Sequence, residues 1–319
     1  MPDPPYPIEL QGPDITPYRA GNTGIDYVTT MDSGAPGPHV MISALVHGNE
    51  LCGAVALDFL LREGVRPVRG ELTLAFVNPA AYESFDPANP GASRYVDEDF
   101  NRLWSADVLD GPRDSVELRR ARELRPLVDT VDLLLDIHSM QHATAPLMMA
   151  GPAPKGRRIA REVGVPRVVV GDGGHAAGTR LRDYAGFARA DSRKNALLVE
   201  CGQHWAKPSA AVAIETTLRF LVCAGVIDPA FAAPHLAGRE TPEQRFIEVT
   251  GPVTIKTDDF RFTEPFRGLE VIERAGTVIG YDGEQPIATP YDDCVLVMPS
   301  RRLRRGESAV RFGRYVDAP

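Results

Sequence analysis

The four cysteines, Cys52, Cys201, Cys223 and Cys294, lie far apart and form no CxxC pair. That argues against a disulfide framework and against a cysteine-held zinc knuckle. No apolar run approaches the roughly 20 residues needed to span a bilayer. The opening "MPDPPYPIEL" has neither the charged n-region nor the apolar h-region of a signal peptide. Positive charge is in the minority: the formal net charge of −8 argues against a general nucleic-acid binder, while still allowing local basic pockets. Internal repeats and low-complexity tracts are also lacking. These absences lead to the expectation of a soluble cytoplasmic protein with reduced thiols, with neither nucleic acid nor membrane as partner. The 319 residues suit one large domain or two unequal ones, with ample volume for a closed core.

What is present is a series of short apolar runs: "HVMISALVH" (39–47), "ELTLAFVN" (71–78), "VDLLLDIH" (131–138), "PRVVVGD" (166–172) and "NALLVECG" (195–202). Each is nearly continuous rather than alternating, as expected for strands covered on both faces. Helical patterns lie between them. "ELCGAVALDFLLREG" stops at Gly64, a C-cap candidate. "DSVELRRARELRPLVDTV" places Leu118, Leu124, Leu127 and Val128 on one side, with Pro126 as a point of bending. "SAAVAIETTLRFLVCAGVI" (209–227) has Ser209 as a candidate cap. Strands alternating with helices predict an α/β sandwich. After about residue 235 the pattern turns to short strands separated by Gly, Pro and Asp. The expected division is therefore an α/β domain over 1–237 and a small all-β domain over 238–319.

In α/β sheets, function gathers at the carboxyl ends of strands. His47 is expected to end the first strong strand, His138 the third, and Glu200 the fifth. His47 and Glu50, three apart across a Gly-Asn turn, can face one ion, and His138 can supply a third ligand. Two imidazoles and a carboxylate leave a fourth position open, as in a catalytic rather than a structural zinc site. Glu200 is then the candidate to take a proton from water. Taken alone, HxxE is weak and His138 reads as a satisfied core histidine; an unpaired buried carboxylate after "ALLV" is harder to explain away. The three together favour a metal site. In "SRYVDEDFNRLW" (93–104), Arg94, Asn101 and Arg102 offer donors suited to a carboxylate or a developing oxyanion, although the segment by itself reads equally as a polar surface loop.

"HGNE", "RYVDEDFNR", "DIHS" and "VECG", in this order and at this spacing, resemble the aspartoacylase and succinylglutamate desuccinylase family, which belongs with the M14-type zinc carboxypeptidases. The resemblance covers about residues 38–225, and the β-rich tail is similar to the small domain these enzymes carry. It implies a zinc-carboxypeptidase-like α/β/α sandwich with a mixed central sheet plus a small C-terminal all-β domain. It implies one Zn2+ per chain on His47, Glu50 and His138, with Glu200 as general base. Arg94 would polarise the scissile carbonyl, Asn101 and Arg102 would hold an α-carboxylate, and Asp99 would orient a ligand histidine. The implied activity is hydrolysis of a small N-acyl amino acid or related N-acyl amine.

The chain also departs from the family. Aspartoacylases carry a further arginine ahead of the catalytic glutamate, for the substrate's side-chain carboxylate, and a tyrosine near the C-terminus. Here Arg180, Arg182, Arg189 and Arg193 are candidates for that arginine, with Arg180 put forward, and "SRRLRRGES" stands where the tyrosine is sought. The loop "GDGGHAAGTRLRDYAGF" (171–187), with His175 and Arg180, reads either as part of the substrate pocket or as a mobile surface loop. "ELRRARELR" (117–125) is expected to be a solvated helix face and Cys201 packing; "SRRLRRG" reads as a solvated turn or as a basic cluster reaching an anionic substrate, with the turn favoured, and His142 and His204 as structural or surface residues ahead of pocket-lining ones. Two other activities stay open: a zinc carboxypeptidase acting on short peptides, and a non-catalytic metal-dependent binding protein. A homo-oligomer is also left open.

Overall fold

A computed structural model describes residues 6–174 and 177–318. His175 lies outside the described residues. The chain begins with β1 (Val28–Asp32), β2 (His39–Ala44), helix α1 (Leu51–Arg62) and β3 (Glu71–Phe76). Short helices α2 (Pro79–Glu83) and α3 (Ala106–Leu109) precede α4 (Val116–Val128) and β4 (Leu133–Met140). Then come β5 (Leu147–Met149), α5 (Pro154–Val163), β6 (Val168–Gly171), β7 (Asn195–Gln203), α6 (Pro208–Cys223) and α7 (Pro229–Leu236). The last part is β-rich: β8 (Arg245–Thr254), β9 (Phe260–Phe262), β10 (Val271–Ile272), β11 (Val278–Asp282), β12 (Gln285–Ala288), β13 (Cys294–Val297) and β14 (Ser308–Val316).

Eleven of these strands form one mixed sheet in the order β1-β3-β2-β4-β7-β5-β6-β8-β14-β13-β10, and β12-β11-β9 form a small antiparallel sheet. The centre is parallel, with β2, β4 and β7 side by side. Successive residues of the central strands serve opposite faces, which is why their apolar runs do not alternate. Ile42 and Leu135 pack towards α1 and α6, whereas Met41 and Leu134 pack towards Leu118, Ala121 and Leu124 of α4. The β-rich tail is not detached from this sheet: β8 pairs in parallel with β6, and β14 pairs with β8. The sheet therefore runs past residue 238 without interruption.

Helix α1 ends as its sequence predicts. Gly64 takes φ 70°, Val65 N–H donates to Leu60 O at 3.0 Å and Gly64 N–H to Leu61 O at 3.2 Å, a Schellman ending that a glycine permits without steric strain. Helix α6 departs from the expectation. It begins at Pro208 after Lys207, and the Ser209 hydroxyl donates to Ala206 O rather than capping the helix, because proline already fixes the first turn. Helix α5 was not signalled by an apolar stripe; it buries Gly156, Ala160 and Val163. Among the described residues, no helix is long and apolar enough to cross a membrane.

Candidate active site

Strand β2 ends at Ala44, not at His47 as the apolar run suggests. Leu45 turns the chain with φ 63°, so His47 and Glu50 sit on a tight connection leading into α1. Gly48 is there because nothing larger fits: a Cβ would lie 2.2 Å from the carbonyl carbon of Ala81. Its N–H donates to Arg94 O at 3.1 Å, which ties this turn to the segment carrying the arginine. Neighbouring β4 delivers His138, and β7 delivers Glu200 directly opposite it in the parallel register.

The Glu50 carboxylate lies between the two imidazoles, Oε1 at 2.7 Å from His47 Nδ1 and Oε2 at 2.9 Å from His138 Nδ1. The far side of each ring is also held. His47 Nε2 meets Asp99 Oδ1 at 2.9 Å, and His138 Nε2 meets Asp136 Oδ2 at 2.9 Å. A carboxylate can only accept, so each of these four ring nitrogens needs a proton, or for the two Nδ1 atoms a cation, between it and the oxygen it faces. With Nε2 protonated on each ring, a cation held by Glu50 and the two Nδ1 lone pairs would take the place of the Nδ1 protons. The donor atoms of His47, Glu50 and His138 lie within 4.8 Å of one another, and all three residues are buried. This group suits a divalent metal by its chemistry and by its outer partners.

The outer partners are themselves fixed. The Ser43 hydroxyl donates to Asp136 Oδ1 at 2.6 Å. Asp99 receives Arg94 Nη2 at 3.0 Å and the Asn101 N–H at 2.9 Å. Burial works against the Asp99 anion, but Arg94 and His47 hold its pKa well below the usual carboxylate range. Burial likewise opposes ionisation of Glu50 and of His138. The two histidines nevertheless hold Glu50 well below its ordinary value, while Asp136 and Glu50 hold His138 well above its own. Negative charge thus already surrounds the point where a cation would sit.

Glu200 is different. It is 7% exposed, and its Oε2 has no hydrogen-bond partner. Burial pushes its pKa up to about 8; His138 and Arg94 offset this in part, and Glu50 adds to it. A buried, unpaired carboxyl beside a ligand cluster has a pKa tuned for proton transfer near neutrality.

The segment with Arg94, Asp99, Asn101 and Arg102 is organised by a residue that sequence reasoning passed over. Glu117 on α4 is fully buried, and its carboxylate accepts the N–H groups of Val96, Asp97 and Glu98 at 2.6, 3.0 and 3.2 Å. The stretch 117–125 is therefore not simply a solvated face. Arg120 also reaches the carbonyls of Val77 and Asp26, and Arg122 those of Leu109 and Gly111. Asn101 spends its Oδ1 on the Leu181 N–H at 2.9 Å, leaving its amide N–H groups for another acceptor.

These residues open on one cavity of about 220 Å³ that takes in His47, Glu50, Arg94, Asn101, Arg102, His138, Arg180 and Glu200. Of the four arginines that sequence left as candidates, Arg180 lines it. Arg182 is buried on the carbonyls of Ala150 and Ala196, Arg189 pairs with Asp191 on the surface, and Arg193 is exposed. The "SRRLRRG" turn is not merely solvated either: Arg302 and Arg304 line the cavity, and Arg302 Nη2 donates to Gly91 O at 2.9 Å. His142 lines it too, while His204 is buried against the Ser139 hydroxyl, 2.8 Å from Nδ1, with burial pushing its pKa down to about 3. Asp136, Glu117 and Arg311 were missed. Asp136, two residues before His138 on one strand face, carried a usable signal; Glu117 and Arg311 depend on packing between distant segments.

Known proteins resemble this chain in sequence and in fold. The family model described as the succinylglutamate desuccinylase/aspartoacylase catalytic domain matches residues 36–221. An N-acyl-aromatic-L-amino acid amidohydrolase (carboxylate-forming) of Homo sapiens is 32% identical over 111 residues, 31% of this chain and 33% of that protein. An aspartoacylase of Xenopus tropicalis is 29% identical over 126 residues, 36% of this chain and 38% of that protein. The chain thus spans about a third of the length of the curated relatives it matches. A succinylglutamate desuccinylase structure from Vibrio cholerae superposes with TM-score 0.67 at 17% identity, covering 92% of this chain and 88% of that one. Murine aminoacylase 3 gives 0.58 at 19% identity, covering 88% and 96%. At such identities the structural likeness establishes the shared fold.

Proposed function

The chain belongs to the succinylglutamate desuccinylase/aspartoacylase family, and from that premise we propose that it is a zinc-dependent amidohydrolase that splits a small N-acyl amino acid into a carboxylic acid and a free amino acid. The observation that carries the reading is Glu200: a buried carboxyl with an unpartnered oxygen, its pKa pushed to about 8, next to a His47–Glu50–His138 group suited to a cation. One zinc per chain is assigned to those three residues; when bound it supplies a Lewis acid that polarises an acyl carbonyl and acidifies water.

The chain's own groups do the rest. Arg102 and the Asn101 amide anchor the substrate's α-carboxylate, which brings the acyl carbonyl towards Arg94. Glu200 takes the proton of the attacking water. Arg94 stabilises the negative charge that grows on the carbonyl oxygen. Glu200 then returns the proton to the departing nitrogen, so that the amine leaves neutral. Asp99 and Asp136 keep the two rings in the tautomer that leaves Nδ1 free. Residues 1–237 are assigned the chemistry, and 238–319 the role of flanking and covering the pocket; Arg302 and Arg304 on its wall support this.

Release of free amine from a panel of N-acyl amino acids by zinc-loaded protein tests the proposal, with Glu200→Gln alongside. Turnover abolished in the variant with zinc retained supports it. A fully zinc-loaded protein that hydrolyses no member of the panel would overturn it.

A further inference from the structure

Strand β2 is buried along its whole length, and Ser43 places a hydroxyl in its apolar interior. A buried hydroxyl costs free energy unless it finds a partner, and an alanine would fill the same strand position without that cost. The parallel pairing of β2 with β4 sets Ser43 directly beside Asp136. Side chains alternate along a strand, so Asp136 shares one face of β4 with Leu134 and His138, and Ser43 shares the neighbouring face of β2 with Met41. Met41 and Leu134 pack there into an apolar layer with Phe100, Leu103 and Trp104. Asp136 is thus a carboxylate sunk in that layer, fully buried, and so is Ser43.

The two aspartates behind the ligand histidines are held differently. Asp99, behind His47, receives Arg94 Nη2 at 3.0 Å and the Asn101 N–H at 2.9 Å, and it lines the cavity. Asp136, behind His138, has the Ser43 hydroxyl on Oδ1 at 2.6 Å, and its Oδ2 faces His138 Nε2 at 2.9 Å. Among the described residues, Ser43 is the one donor this carboxylate has besides the histidine. The terminal torsion of an aspartate is soft by itself. The serine pins one oxygen, and that fixes where the other points. Strand β2 also runs on into the turn that carries His47 and Glu50, so the same bond ties together the two strands that deliver the whole ligand group.

Resting on the metal assignment within the deacylase reading, we propose that Ser43 is a positioning residue for the metal centre. It acts through Asp136, which holds the His138 ring with Nδ1 turned to Glu50, 2.9 Å from Oε2. Without the hydroxyl, Oδ1 is left buried and bare, and the carboxylate is free to turn and to release the ring from its orientation. Ser43 does not line the cavity, so its influence on the chemistry passes through His138 alone. The substrate anchor is independent of it: Asn101 is held from the opposite side, its Oδ1 taking the Leu181 N–H at 2.9 Å.

The test measures zinc affinity, by competition with a chelating dye, for the full chain as wild type, Ser43→Ala, Asp136→Ala and the double variant. The melting temperature of each metal-free protein is recorded alongside. Loss of the aspartate itself should weaken zinc about 10- to 100-fold, and Ser43→Ala, one bond further out, about 3- to 10-fold. In the Asp136→Ala background the serine change should have no further effect, since no carboxylate remains to be oriented. A hydroxyl that only supports the fold would lower the melting temperature in both backgrounds and leave zinc affinity alone. Ser43→Cys, similar in shape with a weaker donor, should fall between wild type and Ser43→Ala, and it carries the comparison if the alanine protein does not fold. At saturating zinc, Ser43→Ala should lower kcat on whichever N-acyl amino acid the protein hydrolyses, with KM unchanged. Wild-type zinc affinity in both serine variants, an equal loss with and without Asp136, or a rise in KM alone would overturn the proposal and leave the deacylase reading intact. A coupled loss of zinc affinity in a protein that hydrolyses no N-acyl amino acid would support the role of Ser43 and remove the deacylase reading.

Discussion

Glu200→Gln changes a buried carboxyl into an amide of the same shape, and the structure fixes how the consequence depends on pH. The carboxyl has an ordinary value of 4.5 and is pushed to about 8 in the fold, chiefly by burial. A group whose pKa is higher folded than unfolded takes up a proton on folding, so its contribution falls as pH rises. Below about 4.5 it is neutral in both states and costs nothing. Between 4.5 and about 8 the unfolded chain ionises while the folded chain resists. Above 8 the full penalty is present: about 3.5 pH units at about 1.4 kcal/mol each, on the order of 5 kcal/mol. The glutamine variant carries no such penalty. Urea unfolding in the presence of a chelator should therefore find the two proteins close in stability near pH 5. The variant should be more stable by several kcal/mol near pH 9. Parallel stability profiles from pH 5 to 9 would refute the claim that burial raises the pKa of Glu200. The same variant, loaded with zinc, should lose about 10²- to 10⁴-fold in turnover, the range associated with removing a general base.

Asp136→Asn keeps the shape beside His138 Nε2 but removes the charge that fixes the ring's tautomer; zinc affinity, measured by competition with a chelating dye, should fall about 10- to 100-fold with zinc stoichiometry preserved at saturation. Glu117→Ala takes the acceptor from three successive N–H groups at Val96, Asp97 and Glu98; unfolding free energy should drop by about 3 kcal/mol or more. Turnover should also fall, because the same stretch holds Arg94 and Asp99. Gly48→Ala drives a methyl into the backbone of Ala81 and Tyr82, 2.2 to 2.4 Å away; a loss of about 1 to 3 kcal/mol and weaker zinc binding are expected, and a variant as stable as wild type would show that the turn can move aside.

The central strands and their order of use were legible because both of their faces are covered, so β2, β4 and β7 each announce themselves as an unbroken apolar run. The His47–Glu50–His138 group was legible for a related reason: ionisable residues at or just beyond the end of a buried run are costly unless something answers them, and His47, Glu50, His138 and Glu200 are all placed so. Helix α1 declared its own end through Gly64, a local effect that needs no partner. The tertiary structure alone decided the outer layer of the site. Glu117 reads in sequence as one charge among many on a helix rich in arginine, and it becomes an organiser only because α4 packs beneath residues 96–98. Arg180 could not be told from Arg182, Arg189 and Arg193 by position in the chain, since the pocket lies on one side of a loop whose path sequence does not encode locally. Arg311 is 111 residues beyond Glu200 and lines the same cavity because β8 and β14 continue the sheet past β6. Periodicity and strand-end chemistry are written in neighbouring residues. Which arginines share a cavity, and which carboxylates answer them, is set by contacts between segments whose separation along the chain carries no such record.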